Sequence, residues 1–455
     1  MLFTSGIFWL YYLFVISLLL INSKKIKSVN FQNIILLLAS YIFYSYWDYR
    51  FLFLIIFVSF QTFICGYFIY KFTEKKESIL FLSLLINIMI LAYFKYAGFF
   101  VSEFSSLLGN ETPSYFENII LPVGISFYIF QSFTYVLDIY NEQIKPEKNL
   151  INYFTFIAFF PQLVAGPIER ASSLLPQFRF LKTISYKSLV DGLKLIIIGL
   201  FLKVFIADNL SYDVDYIFSN YQTLNNSTLI LGAIGFSSQI YGDFCGYSLI
   251  AIGISQIIGF KLTNNFDAPY FSSSLKEFWR KWHITLSSFF RDYFYIPIGG
   301  SKKSFFYKCR NLIFTFLLSG LWHGANWTFI LWGFLHGLFL ILENILPIKI
   351  NKFLNWLITM FIVFTLWILF RSESVNDFLS YLNIIISGFP KMPETGQMII
   401  LYFLYCLLLE SILLKFKNNI IPWFNSKIIE NFLLSIMLVL VIGTIAGSKN
   451  FIYFL

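Results

Sequence analysis

Apolar runs long enough to cross a bilayer recur along this chain, and no other feature limits its fold as strongly. They lie near 5–22, 31–47, 50–71 and 78–95, then near 121–140, 187–207, 229–260, 353–370, 396–414 and 430–446. A spanning helix needs about 20 apolar residues, and only helices and closed barrels satisfy their own backbone inside lipid. Of the 455 residues 58% are hydrophobic and 13% charged, against roughly a quarter charged in a soluble domain. A water-soluble core of this size cannot hide that much apolar surface. The expectation is an all-α polytopic membrane protein of about ten or eleven transmembrane helices plus re-entrant and amphipathic pieces. No linker-like run or internal repeat divides it, so residues 1–455 read as one domain.

Charge then sets topology. The net charge is +9. In a soluble chain that would suggest nucleic acid. Here no nucleic-acid partner is expected, because cytoplasmic loops of membrane proteins are rich in Lys and Arg. Lys24, Lys25 and Lys27 follow the first run, and Lys71, Lys75 and Lys76 the third. Both loops are expected in the cytoplasm, with the N-terminus outside. No basic leader with a small-residue cleavage site opens the chain, so the first helix is expected to be retained. Residues 261–310 carry nine basic side chains and three acids, which assigns that stretch to the cytoplasmic face. The four cysteines have neither disulfide-framework nor metal-ligand spacing.

Several polar groups interrupt the apolar runs. Pro122 suits the first turn of the span near 121–140. Gln131 and Ser132 inside that span are expected to bond to neighbouring helices. Pro161, Gly166 and Pro167 exclude a regular spanning helix and leave an interfacial or re-entrant segment, with Glu169 and Arg170 favouring the interface. Asp243, in an otherwise apolar run, is either functional or the partner of a nearby base.

All three histidines, His283, His323 and His336, fall within residues 278–337. As one helix, Phe278 to Tyr293 would align His283, Ser287 and Arg291 on one face and lie amphipathically at the membrane surface. In the second half, Gly320/Gly324 and Gly333/Gly337 permit close helix packing. Asn326 lies one turn beyond His323, where its amide could hold the ring. On a continuous helix His336 would be roughly 20 Å from His323, so the two form no metal pair, and His336 reads as structural. A buried imidazole is kept neutral, and a neutral imidazole can serve as general base or nucleophile in acyl transfer. Serine-hydrolase, nucleotide-binding and zinc-protease motifs are absent from the sequence.

Six segments together resemble the bacterial membrane-bound O-acyltransferases, most closely the alginate O-acetyltransferase branch. They are Leu121–Phe127, Phe160–Ile168, Tyr241–Ser248, Arg280–Ser287, Arg291–Gly300 and Leu321–Gly324. The resemblance implies a multi-helix fold around a central pore, with catalytic His323 at its centre and His283 as the second functional histidine. It implies no bound cofactor or metal. The donor would be a cytoplasmic acyl thioester, acetyl-CoA or an acyl-carrier phosphopantetheine, and the acceptor a hydroxyl of an extracytoplasmic polysaccharide. Arg280, Lys281 and Arg291 would attract the donor's phosphates, or simply set topology. Gln239, Tyr241, Asp243, Ser287, Asp292 and Asn326 join them as donor- or pore-lining candidates. The expected setting is the bacterial inner membrane, with an extracytoplasmic esterase-like (SGNH-type) acetyltransferase as partner. D-alanyl transfer to teichoic acid is the alternative within the family, since that relative shares the Trp-His and Asp-Tyr words. The segment Ala165–Arg170 is closer to the acetyl-transferring branch. Outside the family, the alternative is a polysaccharide exporter without chemistry.

Overall fold

The computed structural model describes residues 1–164, 166–302, 304–346, 351–418 and 427–445. Ala165, Lys303 and the last position of the expected 430–446 span lie outside them. Every regular element among the described residues is helical. Five helical stretches are long and apolar enough to cross a membrane: Gly6–Ile26, Tyr49–Lys71, Thr73–Leu107, Trp327–Ile345 and Lys352–Arg371. Shorter apolar helices occupy Val29–Ser45, Met398–Ile412 and Glu430–Thr444. Many helix starts are locally encoded. Ser5, Ser28, Asn149, Ser274, Asn326, Asn351 and Ser374 each cap a helix by accepting from a backbone N–H of its first turn.

The chain forms two compact units. The first comprises Met1–Ile196 and Tyr247–Thr263. In it Gln131 donates to the carbonyl of Phe156 at 2.7 Å, the expected bond between helices, while Ser132 bonds back to Ile129 in its own helix. Pro122 is not in the first turn. The helix begins at Ile125, after Gly124 adopts φ +72°, where a side chain would strike the Leu163 backbone. The helix Leu150–Ala158 stops before Pro161, and the next helix begins at Ala171. Glu169 is 1% exposed and accepts from both the backbone N–H and the hydroxyl of Thr263.

The second unit comprises Ile197–Gly246 and the described residues from Asn264 to 445. It contains the histidines. It also contains a helix, Val375–Ser387, that hydropathy did not reveal. That helix is short and carries Asn376, Asp377 and Asn383. Its start is marked instead by Ser374, whose hydroxyl accepts from the N–H of Asp377 and donates to its carboxylate.

Candidate active site

The stretch from Phe278 to Tyr293 is not one helix. Leu275–Lys281 and Ile284–Phe290 are separate seven-residue helices. Trp282 is extended between them, and His283 sits in the left-handed region at φ +43°, ψ +55°. A non-glycine residue there costs about 1–2 kcal/mol. The segment before the break compensates for it. Ile284 N–H donates to the carbonyl of Asn265, the Thr285 hydroxyl to the Asn265 side chain at 2.6 Å, and Asp267 N–H to the carbonyl of Lys281. Helical periodicity cannot report such a break, because both halves keep the period.

The break turns His283 inward. The residue is 1% exposed and meets Phe244 edge-on at 4.5 Å. Neither ring nitrogen has a hydrogen-bond partner among the described residues. Neither flanking helix is long enough to span. Burial, reinforced by His323, holds this imidazole well below its ordinary pKa, so it is a neutral donor and acceptor awaiting a partner.

Leu318 to Gly337 is likewise not continuous. Phe305–His323 ends at Gly324, and a new helix, Trp327–Ile345, folds back against it. Gly320 and Gly333 let the two backbones touch: a Cβ on Gly320 would lie 3.3 Å from the Gly333 Cα, and one on Gly333 3.2 Å from the Gly320 N. Gly324 lies in the turn instead. Asn326 does not serve as a clamp on the imidazole. It caps the second helix by accepting from Thr328 N–H, and donates to the carbonyl of Glu373 at 2.9 Å. The fold-back also removes the expected separation of about 20 Å between His323 and His336. Trp332 lies 5.2 Å from one ring and 4.7 Å from the other. Trp322 lies 4.9 Å from His323 and 5.8 Å from His283. One aromatic cluster therefore holds all three imidazoles. His323, at the helix end, is half-buried, whereas His283 and His336 are closed off.

Beside this cluster lies a cavity of about 480 Å³ lined by Lys276, Arg280, Ser287, Arg291 and Lys308, with Trp279 in its wall. Arg280, Ser287 and Arg291 are among the donor-lining candidates read from the sequence. Lys276 and Lys308 were counted in the basic stretch but not singled out. Arg291 is held by Asp292 at 2.6 Å. Lys281 does not line the cavity; it pairs with Glu277 at 2.9 Å.

Asp243 has its base. Lys203 reaches Asp243 at 2.6 Å and Asp208 at 2.7 Å, with all three side chains 1% exposed. Lys203 carries its own signal in the sequence, a cation inside the apolar run near 187–207. From the same helix as Asp243, Phe244 supports His283, and Tyr241 packs 6.2 Å from Trp282. Gln239 is fully buried, with neither amide atom paired among the described residues.

A model of the MBOAT, or membrane-bound O-acyltransferase, family matches residues 36–372. The chain belongs to the membrane-bound O-acyltransferase family. The match includes the three histidines, the basic cavity and the Lys203 cluster. A probable alginate O-acetylase of Azotobacter vinelandii is 38% identical over 385 residues, covering 83% of this chain and 76% of that protein. A peptidoglycan O-acetyltransferase of Helicobacter pylori is 34% identical, covering 78% of this chain and 74% of its own. A teichoic acid D-alanyltransferase of Bacillus subtilis is 29% identical over a shorter match, 57% of this chain and 68% of that protein. As a member of this family the chain is a multi-pass membrane enzyme that takes an acyl group from a donor.

Proposed function

We propose that this O-acyltransferase moves an acetyl group from a cytoplasmic thioester to hydroxyls of a cell-envelope polysaccharide, with His323 as the reacting imidazole. The placement of His323 carries the reading. Of the three imidazoles in the cluster, it alone stays open enough to meet a substrate. The hydroxyl oxygen attacks the thioester carbonyl while its proton passes to a ring nitrogen of His323. The C–S bond breaks, and the proton leaves with the thiolate. His283, neutral and closed off beside Trp322, assists His323 as a positioning residue. The cations of the basic cavity hold the phosphates of acetyl-CoA or of a carrier's phosphopantetheine.

The relatives with the longer matches are named for acetylation of alginate and of peptidoglycan, which supports acetate over D-alanine. In this reading the basic cavity faces the cytoplasm, the protein sits in the bacterial inner membrane, and an esterase-like extracytoplasmic transferase completes delivery. The test supplies labelled acetyl-CoA to inside-out membrane vesicles made with the protein's own envelope polysaccharide. Alkali-labile label on the polymer is expected. Label appearing only with a D-alanyl carrier donor would replace acetate by D-alanine, and no transfer from either donor would reject the reading.

A further inference from the structure

Two aromatic side chains of the basic cavity's lining, Trp279 and Phe316, also pack against His336 of the histidine cluster. The Trp279 indole lines the cavity while its N–H donates to Nδ1 of His336 at 3.3 Å. The two rings meet edge-on at 4.9 Å. Trp332 lies 5.6 Å from Trp279 and 5.2 Å from His323. Phe316 supports the same wall, 5.3 Å from the Trp279 ring. The inner side of the cavity is therefore narrowed by an indole, and that indole is fixed by a hydrogen bond to a buried histidine. Because Nδ1 accepts, the proton of His336 sits on Nε2. This gives His336 a definite task.

We infer that Trp279 is a specificity-determining residue, which limits the donor's acyl group to a very short one by narrowing the inner side of the basic cavity. This rests on the acyl-transfer reading and refines it. The cavity volume falls in the range of small-molecule sites, about 300–1,000 Å³. Its cations hold a donor by the phosphate end, so the thioester end meets the aromatic wall. A rigid wall rejects added methylenes, each worth roughly 10–200-fold. His336 is the positioning residue that keeps the wall rigid.

The experiment measures thiol release in membrane vesicles from acetyl-CoA and from butanoyl-CoA, with His323→Ala vesicles as the background. Wild type should prefer acetyl. Trp279→Ala should lower the acetyl-to-butanoyl ratio at least about tenfold, and Trp279→Phe, which keeps a ring but loses the bond, by a smaller factor. His336→Leu should lower the ratio in the same way, whereas His336→Gln, whose carbonyl still accepts from the indole, should keep it near wild type. A purely structural role would change both donors together and leave the ratio alone. Wild-type release with an unchanged ratio in Trp279→Ala and His336→Leu overturns this inference alone. Wild-type release no higher than the His323→Ala background, with either donor, overturns the acyl-transfer reading and this inference with it.

Discussion

Replacing Lys203 by Met tests what holds the helix that carries Gln239, Tyr241 and Phe244. The ammonium lies 2.7 Å from Asp208 and 2.6 Å from Asp243. At an effective dielectric constant of about 20, each contact supplies roughly 6 kcal/mol of attraction. Removing the three charges from water costs several kcal/mol apiece, so the intact cluster is close to balance. Methionine fills the volume but leaves two carboxylates buried against each other. The loss is expected to be about 3–5 kcal/mol, or roughly two to four powers of ten in the folded-to-unfolded ratio. Adding Asp208→Asn and Asp243→Asn removes the stranded charge and should restore most of that loss. Thermal unfolding of the detergent-purified variants reads both effects. A Lys203→Met protein as stable as wild type would refute the reasoning, as would a triple variant no better than the single one.

Three further outcomes follow from the same geometry. Gly333→Ala drives a methyl group into the Phe316 backbone and should destabilise the helical hairpin by about 1–3 kcal/mol; thermal unfolding and loss of acyl transfer would register it together. Burial, opposed by the Thr263 hydrogen bonds, raises the Glu169 carboxyl to about 7. The folded state then binds more protons than the unfolded one between about pH 4.5 and 7, so this contribution is complete below that window and is lost as pH rises through 7; Glu169→Gln should flatten the fall in Tm between pH 5 and 8. Arg280→Ala and Lys308→Ala each remove one cation from the basic cavity. Each should raise KM for acetyl-CoA about three- to tenfold, with kcat less affected, as initial rates in vesicles would show.

Several apolar helices were legible because bilayer thickness imposes run length directly, although Trp327–Ile345, long and apolar enough to cross, was not among the expected runs. Gly6–Ile21, Val29–Ser45, Leu52–Lys71 and Lys76–Leu91 fall where hydropathy placed them. The site was legible as residues but not as geometry. Two reversals make it, one at His283 and one at Gly324, and both occur within stretches whose periodicity reads as unbroken helix. The signals that mark them are local: Asn326 as a cap, and Asn265 bonding across a break eighteen residues later. The partner of Asp243 is forty residues away in sequence, and only packing chooses Lys203 for it. No sequence pattern singles out Trp279 or Trp332, because their place depends on which imidazole each one touches.

The central claim is that His323 is the imidazole that takes the hydroxyl's proton in acyl transfer. Alkali-labile acetate on the envelope polysaccharide, compared between wild type and a His323→Ala strain with equal amounts of membrane-inserted protein, tests it most directly. The account predicts that the ester falls to the level of a strain lacking the protein. Acetylation at the wild-type level in His323→Ala would contradict it.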